Sequence, residues 1–151
     1  MKKTLLAVTA ALTLLAACGQ STPPAEKGPN SEARSTAFKS MMPNFSTMGK
    51  MVKGDVDYDV EAFKQAAAGF ATESQVPFQH FESDGEGKDG DALPNVWTDA
   101  AGFKQAEDNF HNAVATLNDT AQTGDLDQIK VAYGNVGATC KACHDSFRKP
   151  Q

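Results

Sequence analysis

The sequence predicts an all-α protein, an antiparallel up-and-down bundle of four helices. Three observations lead to this fold class. Four stretches repeat apolar residues at helical spacing. No segment alternates apolar and polar residues between hairpin turns, and most connections between the four stretches are short. The chain has 151 residues, 40% hydrophobic and 22% charged, which is enough for one domain with a real core.

The first two predicted helices span residues 31–52 and 59–75. In the first, the residues that share one face follow steps of four and three: Arg34, Phe38, Met41, Phe45, Met48 and Val52. Pro43 interrupts this helix, and a proline in a helix interior predicts a kink or local distortion. Asp59 is the expected N-cap of the second helix, which Pro77 closes.

Residues 78–95 lack a helical period and predict a solvated loop, because three glycines alternate there with carboxylates. A calcium loop is an alternative, although the EF-hand spacing and its terminal glutamate are missing. The third predicted helix spans residues 96–122. Gly124 and Asp125 then break and recap the chain, and the fourth helix covers residues 125–149.

Residues 1–17 read as a signal peptide, with Lys2 and Lys3 before an apolar stretch too short for a comfortable membrane span. The stretch ends at Leu15-Ala16-Ala17-Cys18, which resembles the lipobox of bacterial lipoproteins. Residues 18–30 are then a lipidated Cys18 followed by a polar, proline-bearing tether, and residues 31–151 form the bundle. We expect a lipid-anchored periplasmic protein, at the outer membrane because Gly19 rather than Asp follows the cysteine. An ordinary secretory signal is the alternative.

The formal net charge is −5 and becomes −7 when Lys2 and Lys3 leave with the signal. A surface that binds nucleic acid needs a basic excess, so nucleic acid is not expected as a partner. An acidic surface can instead steer a basic redox partner.

Cys140-Lys141-Ala142-Cys143-His144 has the C-x-x-C-H spacing of c-type haem attachment. On a helix these three side chains share a face, so two thiols can add to the vinyl groups along one porphyrin edge while the imidazole points at the iron. The sequence therefore predicts one haem c, covalently bound through Cys140 and Cys143, with His144 as the metal ligand.

Two other interpretations use the same residues. A thioredoxin-like C-x-x-C follows a strand at a helix N-terminus, whereas this motif lies late in the last helix. A zinc site would need a fourth ligand, for example His111. A colourless preparation would support either of these.

Only residues 145–151 follow His144, and none is Met or His. A sixth iron ligand must therefore come from upstream, or the iron keeps an open position. The late C-x-x-C-H motif is accompanied by Arg34 in the first helix, by Trp97 opening the third, and by Gly124-Asp125-Leu126 before the fourth. In these features the chain resembles the cytochrome c′ family, over residues 31–149.

The resemblance implies roles for further residues. Arg34 lies by the haem propionates, and Phe38, one turn later, faces the distal side of the iron, where low-spin relatives carry a ligating Met. Because phenylalanine cannot coordinate, five-coordinate high-spin iron is expected. The resemblance also places Arg148 beside the proximal ligand and Asp91 at the haem edge. The alternative is a six-coordinate iron, if Pro43 swings Met41 inward.

An apolar distal pocket favours nitric oxide and CO as ligands. The leading hypothesis is a periplasmic protein that binds nitric oxide and protects against nitrosative stress. Slow reduction of nitric oxide is a further option, but no catalytic residues are expected. The alternative is an electron carrier to a membrane or periplasmic reductase or oxidase. Family members are often homodimers packed through the first two helices, so a homodimer is expected.

Overall fold

The computed structural model describes residues 26–150. The expected signal peptide, Cys18 and most of the tether lie outside this range. Its elements, in chain order, are α1 (Pro29–Lys53), α2 (Val60–Glu73), a 3-10 helix (Pro77–His80), α3 (Asn95–Thr98), α4 (Ala100–Thr123) and α5 (Leu126–Phe147). Residues 26–150 contain two isolated bridges but no strand. The predicted all-α four-helix bundle, formed by α1, α2, α4 and α5, is confirmed.

Helix α1 begins at Pro29, two residues before the sequence predicted its start. Proline suits a first turn because its missing N–H has no helical partner there. Gly28 is the N-cap and offers no side-chain acceptor. The Asp84 carboxylate fills this role from the distant loop, accepting from the backbone N–H of Asn30 at 2.9 Å and of Ser31 at 2.6 Å. From this start the helix continues through Pro43 to Lys53.

Three aspartates cap the other long helices. Asp59 accepts from Ala62 N at the start of α2, as predicted, and Asp125 accepts from Asp127 N and Gln128 N at the start of α5. Asp99 caps α4 through Gly102 N. The third helix was predicted to run unbroken from Val96; it is divided at Asp99, whose φ of −118° and ψ of 60° are not helical.

Each long helix packs against two others, α1 and α4 both lying beside α2 and α5. The shared core is formed by apolar side chains from all four; those with almost no exposed surface include Met48, Phe63, Phe70, Leu117, Ile129 and Val136. No helix within residues 26–150 is long and apolar enough to cross a membrane.

The prediction of a purely solvated loop over residues 78–95 is wrong at both ends. The chain forms the 3-10 helix at its start, where Phe78 packs against the core, and enters α3 at Asn95. Apolar burial overrides the polar composition there. The middle stays exposed around Gly85 and Gly87, which have positive φ values of 95° and 81° that glycine adopts without strain.

Candidate functional site

The register between α1 and α5 is set by one aromatic contact. The rings of Phe45 and Tyr133 stack with centroids 4.4 Å apart, and the Tyr133 hydroxyl donates to the Phe45 carbonyl at 3.2 Å. The helices are antiparallel, so seven residues back along α1 and seven residues forward along α5 both advance about 10.5 Å in one direction. Phe38 is thereby level with Cys140, and Arg34 with His144.

The loop of residues 82–94 joins the two helix ends at this level. Asp84 caps the N-terminus of α1. At the C-terminus of α5, Asp91 pairs with Arg148 at 3.5 Å, and the Asp91 carbonyl accepts from Lys149 N at 2.8 Å. Leu93 N donates to the Phe147 carbonyl at 3.0 Å. Asp91 is therefore held beside Arg148, which follows His144 by one helical turn.

Arg34 is buried, with only 6% of its surface exposed. Its guanidinium donates to the carbonyls of His80 at 2.7 Å and Asp89 at 2.8 Å, and it lies 4.6 Å from the centre of the Phe81 ring. Burial lowers the pKa of Arg34, and the nearby carboxylates of the loop oppose that shift. A guanidinium has five N–H donors, so this arrangement leaves donors for an anionic group such as a propionate.

Phe38 belongs to a continuous group of aromatic rings. Its ring meets Phe78 edge-on at 6.0 Å and Phe81 at 6.4 Å. Phe81 in turn lies 4.6 Å from Phe103, which meets Phe147 of α5 edge-on at 5.4 Å. The side chain predicted to face the iron is thus held by Phe78 of the 3-10 helix and by Phe81, which directly follows that helix.

Phe78 and Phe81 are the functional candidates that the sequence reasoning missed. Both lie in the segment interpreted as a solvated loop. The available signal was the pair of phenylalanines on either side of Gln79-His80, directly after Pro77. Large apolar residues at such a position need a buried partner, and here the partner is Phe38.

Cys140, Cys143 and His144 lie on the last two turns of α5, and both thiols are free and partly buried. Burial, with the second thiol nearby, raises the pKa of Cys140 to about 11, and burial also raises the pKa of Cys143. Both sulfurs are therefore protonated at neutral pH.

Burial lowers the pKa of His144, and the positive charge of Arg148 lowers it further, while Asp145 acts in the opposite direction. Neutral imidazole is the form that binds a metal. A c-type haem therefore fits between α5 and α1, with Cys140 and Cys143 as its attachment points. The His144 imidazole and Phe38, which lies at the level of Cys140 on α1, would flank it. The individual roles toward the haem stay predictions.

Two residues weighed as iron or zinc ligands have other partners. Met41 is 4% exposed and belongs to the hydrophobic core, whereas its neighbour Met42 is 46% exposed. His111 places its ring 4.8 Å from Phe78, with Nδ1 3.9 Å from Glu107. Residues 26–150 hold no group of three or more His, Cys, Asp or Glu side chains placed to bind a metal ion by themselves.

A four-helix bundle that carries C-x-x-C-H on the last two turns of α5 defines a class: a c-type haem protein built on four helices. Comparison with known proteins narrows the class. The family model described as Cytochrome C' matches residues 30–148. A cytochrome c' of Alcaligenes xylosoxydans xylosoxydans is 41% identical over 116 residues, covering 77% of this chain and 90% of that protein.

Solved structures agree. A nitric oxide complex of a leucine-to-alanine variant of cytochrome c prime from Alcaligenes xylosoxidans superposes with a TM-score of 0.76 at 39% identity, covering 81% of this chain and 94% of that one. A carbon monoxide-bound leucine-to-glycine variant of the same protein gives 0.75 at 40% identity, covering 80% and 94%. The chain belongs to the cytochrome c′ family, and its cofactor is one covalent c-type haem.

Proposed function

We propose that this protein binds nitric oxide and carbon monoxide at a five-coordinate, high-spin haem iron. The observation that carries the proposal is the position of Phe38. It is level with Cys140 across the α1–α5 interface and is packed edge-on by Phe78 and Phe81. A benzene ring offers the iron no ligand, so this face stays open to a small gas.

The same rings decide which gas is favoured. Phe38, Phe78 and Phe81 have no hydrogen-bond donor, and bound dioxygen depends on such a donor more than nitric oxide or carbon monoxide does. On the opposite face of the haem, His144 would supply a neutral imidazole. The nitric oxide and carbon monoxide complexes of two variants of one relative, 39% and 40% identical to this chain, support this assignment.

We place this chemistry in the periplasm, on a lipid anchor at Cys18 and at the outer membrane. The support is the signal-like segment at residues 1–17 and the lipobox spacing. A tethered gas-binding domain there would buffer nitric oxide and protect against nitrosative stress. Labelling with radioactive palmitate tests the anchor: wild-type protein should carry label in washed membranes, and a Cys18→Ala variant that keeps the label would contradict it.

Binding itself is tested with purified ferrous holoprotein. Absorption spectra should change on addition of nitric oxide and of carbon monoxide at micromolar concentrations, and dioxygen should oxidise the iron without forming a stable complex. A ferrous protein whose spectrum ignores nitric oxide would overturn the proposal.

A second function, electron transfer, has one supporting observation. The loop beside Arg34 exposes acidic residues, including Glu82 and Glu86, at the end of the bundle where the haem is expected. Such a surface suits docking by a basic redox partner. Salt-dependent reduction by a basic donor cytochrome would favour it, whereas reduction that is independent of ionic strength would count against it.

A homodimer packed through the first two helices is also proposed. Met42 of α1 and Val56, between α1 and α2, are large apolar residues with 46% and 47% of their surface exposed. Sedimentation of the holoprotein tests this: a Met42→Glu variant should shift a dimer toward monomer, and an unchanged dimer would place the interface elsewhere.

A further inference from the structure

The contact between Tyr133, Phe45 and Gly49 holds α1 against α5. The Tyr133 ring stacks on Phe45 with an interplanar angle of 14°, and its hydroxyl donates to the Phe45 carbonyl at 3.2 Å. Phe45 is backed by Phe70 of α2, with ring centroids 5.2 Å apart. The Tyr133 ring therefore cannot turn away without losing both its stack and its hydrogen bond.

Gly49 makes the close approach possible. A Cβ atom built on this residue would lie 2.4 Å from the Tyr133 hydroxyl oxygen and 3.2 Å from Cζ. Glycine inside a helix is destabilising relative to alanine, so its presence in the buried face of α1 is explained by the space that the tyrosine needs.

The contact lies about two turns from the C-terminal end of α1 and about two turns from the N-terminal end of α5. Among residues 26–150, every hydrogen bond or ring contact that joins α1 directly to α5 involves Tyr133 and Phe45. Two turns further on, at the level of Phe38 and Cys140, the links between the two helices are indirect. Phe81 and Phe103 connect Phe38 to Phe147 of α5, and Leu93 of the loop donates to the Phe147 carbonyl. Within residues 26–150, the Tyr133–Phe45 pair is thus the direct hydrogen-bonded and stacked contact between α1 and α5.

We propose that Tyr133, Phe45 and Gly49 form a spacer that sets the width of the haem slot between α1 and α5, and so determines how closely Phe38 approaches the iron. The inference rests on the proposed gas-binding function. In this role the three are positioning residues: they lie about two turns from Cys140 and act through the rigid helices that carry Phe38 and the haem attachment residues.

The spacer predicts the effect of Gly49→Ala. Because the added methyl group and the Tyr133 hydroxyl cannot both fit, α1 is pushed away from α5 and Phe38 lifts from the iron. The rate of carbon monoxide binding to the ferrous holoprotein, measured by flash photolysis, should rise about tenfold, which corresponds to a barrier lower by about 1.4 kcal/mol.

The decisive variant is the double substitution Gly49→Ala with Tyr133→Phe. Removing the hydroxyl leaves Cζ, at 3.2 Å, as the nearest atom to the new methyl group, a distance that a shift of a few tenths of an ångström relieves. The double variant should return to within about twofold of the Tyr133→Phe rate, a difference of only about 0.4 kcal/mol in the barrier.

Gly69→Ala is the matched control. Its Cβ would lie 2.7 Å from Asn44 Nδ2, so it crowds α1 against α2 instead of α5. It should lower the unfolding temperature without changing the rate of carbon monoxide binding. Gly134→Ala on α5, which meets nothing within 4 Å, should change neither the rate nor the packing.

The outcomes separate the spacer from the function on which it rests. Wild-type protein that binds no carbon monoxide would defeat the proposed function. Wild-type protein that binds it, with a Gly49→Ala rate equal to wild type or equal to that of Gly69→Ala, would overturn the spacer alone. If Gly49→Ala yields no holoprotein, the double variant with Tyr133→Phe decides the question. Recovery of high-spin holoprotein, judged by its EPR spectrum, supports the spacer, and failure to recover it refutes the spacer.

Discussion

Arg34 connects the start of α1 to the rings that hold Phe38, and its replacement should affect both stability and ligand access. The side chain is 6% exposed and donates to two loop carbonyls, those of His80 and Asp89, while lying over Phe81. Arg34→Ala removes all three contacts and leaves the carbonyls to find other donors.

The magnitude follows from these contacts. Two hydrogen bonds from a charged donor contribute roughly 1.5–3 kcal/mol each, and the cation over an aromatic ring contributes about 0.5–1 kcal/mol. We expect Arg34→Ala to lower the free energy of unfolding by about 4 kcal/mol, toward the low end of that sum because contacts made by one side chain are not additive. Arg34→Lys should lose about 2 kcal/mol, since an ammonium group cannot span both carbonyls as the guanidinium fork does.

Urea unfolding of the holoprotein, followed by far-ultraviolet circular dichroism, measures these losses, with exposed Lys39→Ala on the same helix as the control. Carbon monoxide should also bind faster to Arg34→Ala, because Phe81 is no longer fixed against Phe38. A loss below about 1 kcal/mol for Arg34→Ala, or a lysine variant as stable as wild type, would show that the Arg34 fork does not hold the loop to α1.

Two further predictions concern the distal face and the cap of α1. Phe38→Met should convert the resting iron to a six-coordinate, low-spin state in EPR and suppress carbon monoxide binding, because a thioether can ligate from this position. The control variant Phe38→Leu should stay high-spin. A high-spin Phe38→Met variant would place Phe38 away from the iron. Asp84→Asn tests the cap through its pH dependence. Desolvation raises the pKa of Asp84, but hydrogen bonds from Ser31 and Asn30 outweigh it and leave the pKa below the ordinary value of 3.8. The stabilisation by the Asp84 carboxylate is therefore present above about pH 3.8 and is lost as the pH falls through the lowered pKa. The difference in urea midpoint between wild type and Asp84→Asn should shrink over that acid range. A difference that does not depend on pH would contradict a stabilising role of the ionised cap.

Local spacing was enough to predict the four helices and the haem motif. The apolar stripe of α1 and the caps at Asp59 and Asp125 depend on neighbours within a few residues, so they can be read directly from the chain. Cys140, Cys143 and His144 are likewise close in sequence, and their chemistry depends on that spacing alone.

Long-range contacts could not be predicted in this way. Asp84 caps α1 through Ser31 and Asn30, which precede it in the sequence by 53 and 54 positions. No local pattern distinguishes Asp84 from the other carboxylates of its loop. The rings of Phe78 and Phe81 acquire a role only when the bundle brings Phe38 to them. The division at Asp99 was missed because the apolar period continues through it, while the side chain of Asp99 caps a new helix.

EPR and absorption spectra of the ferric and ferrous holoprotein, recorded before and after addition of nitric oxide, show whether the iron facing Phe38 is open. We predict a high-spin resting spectrum that changes when nitric oxide binds. A low-spin, six-coordinate spectrum that ignores nitric oxide would contradict the account, since it would require an internal ligand such as Met41 in place of the open position and would favour electron transfer.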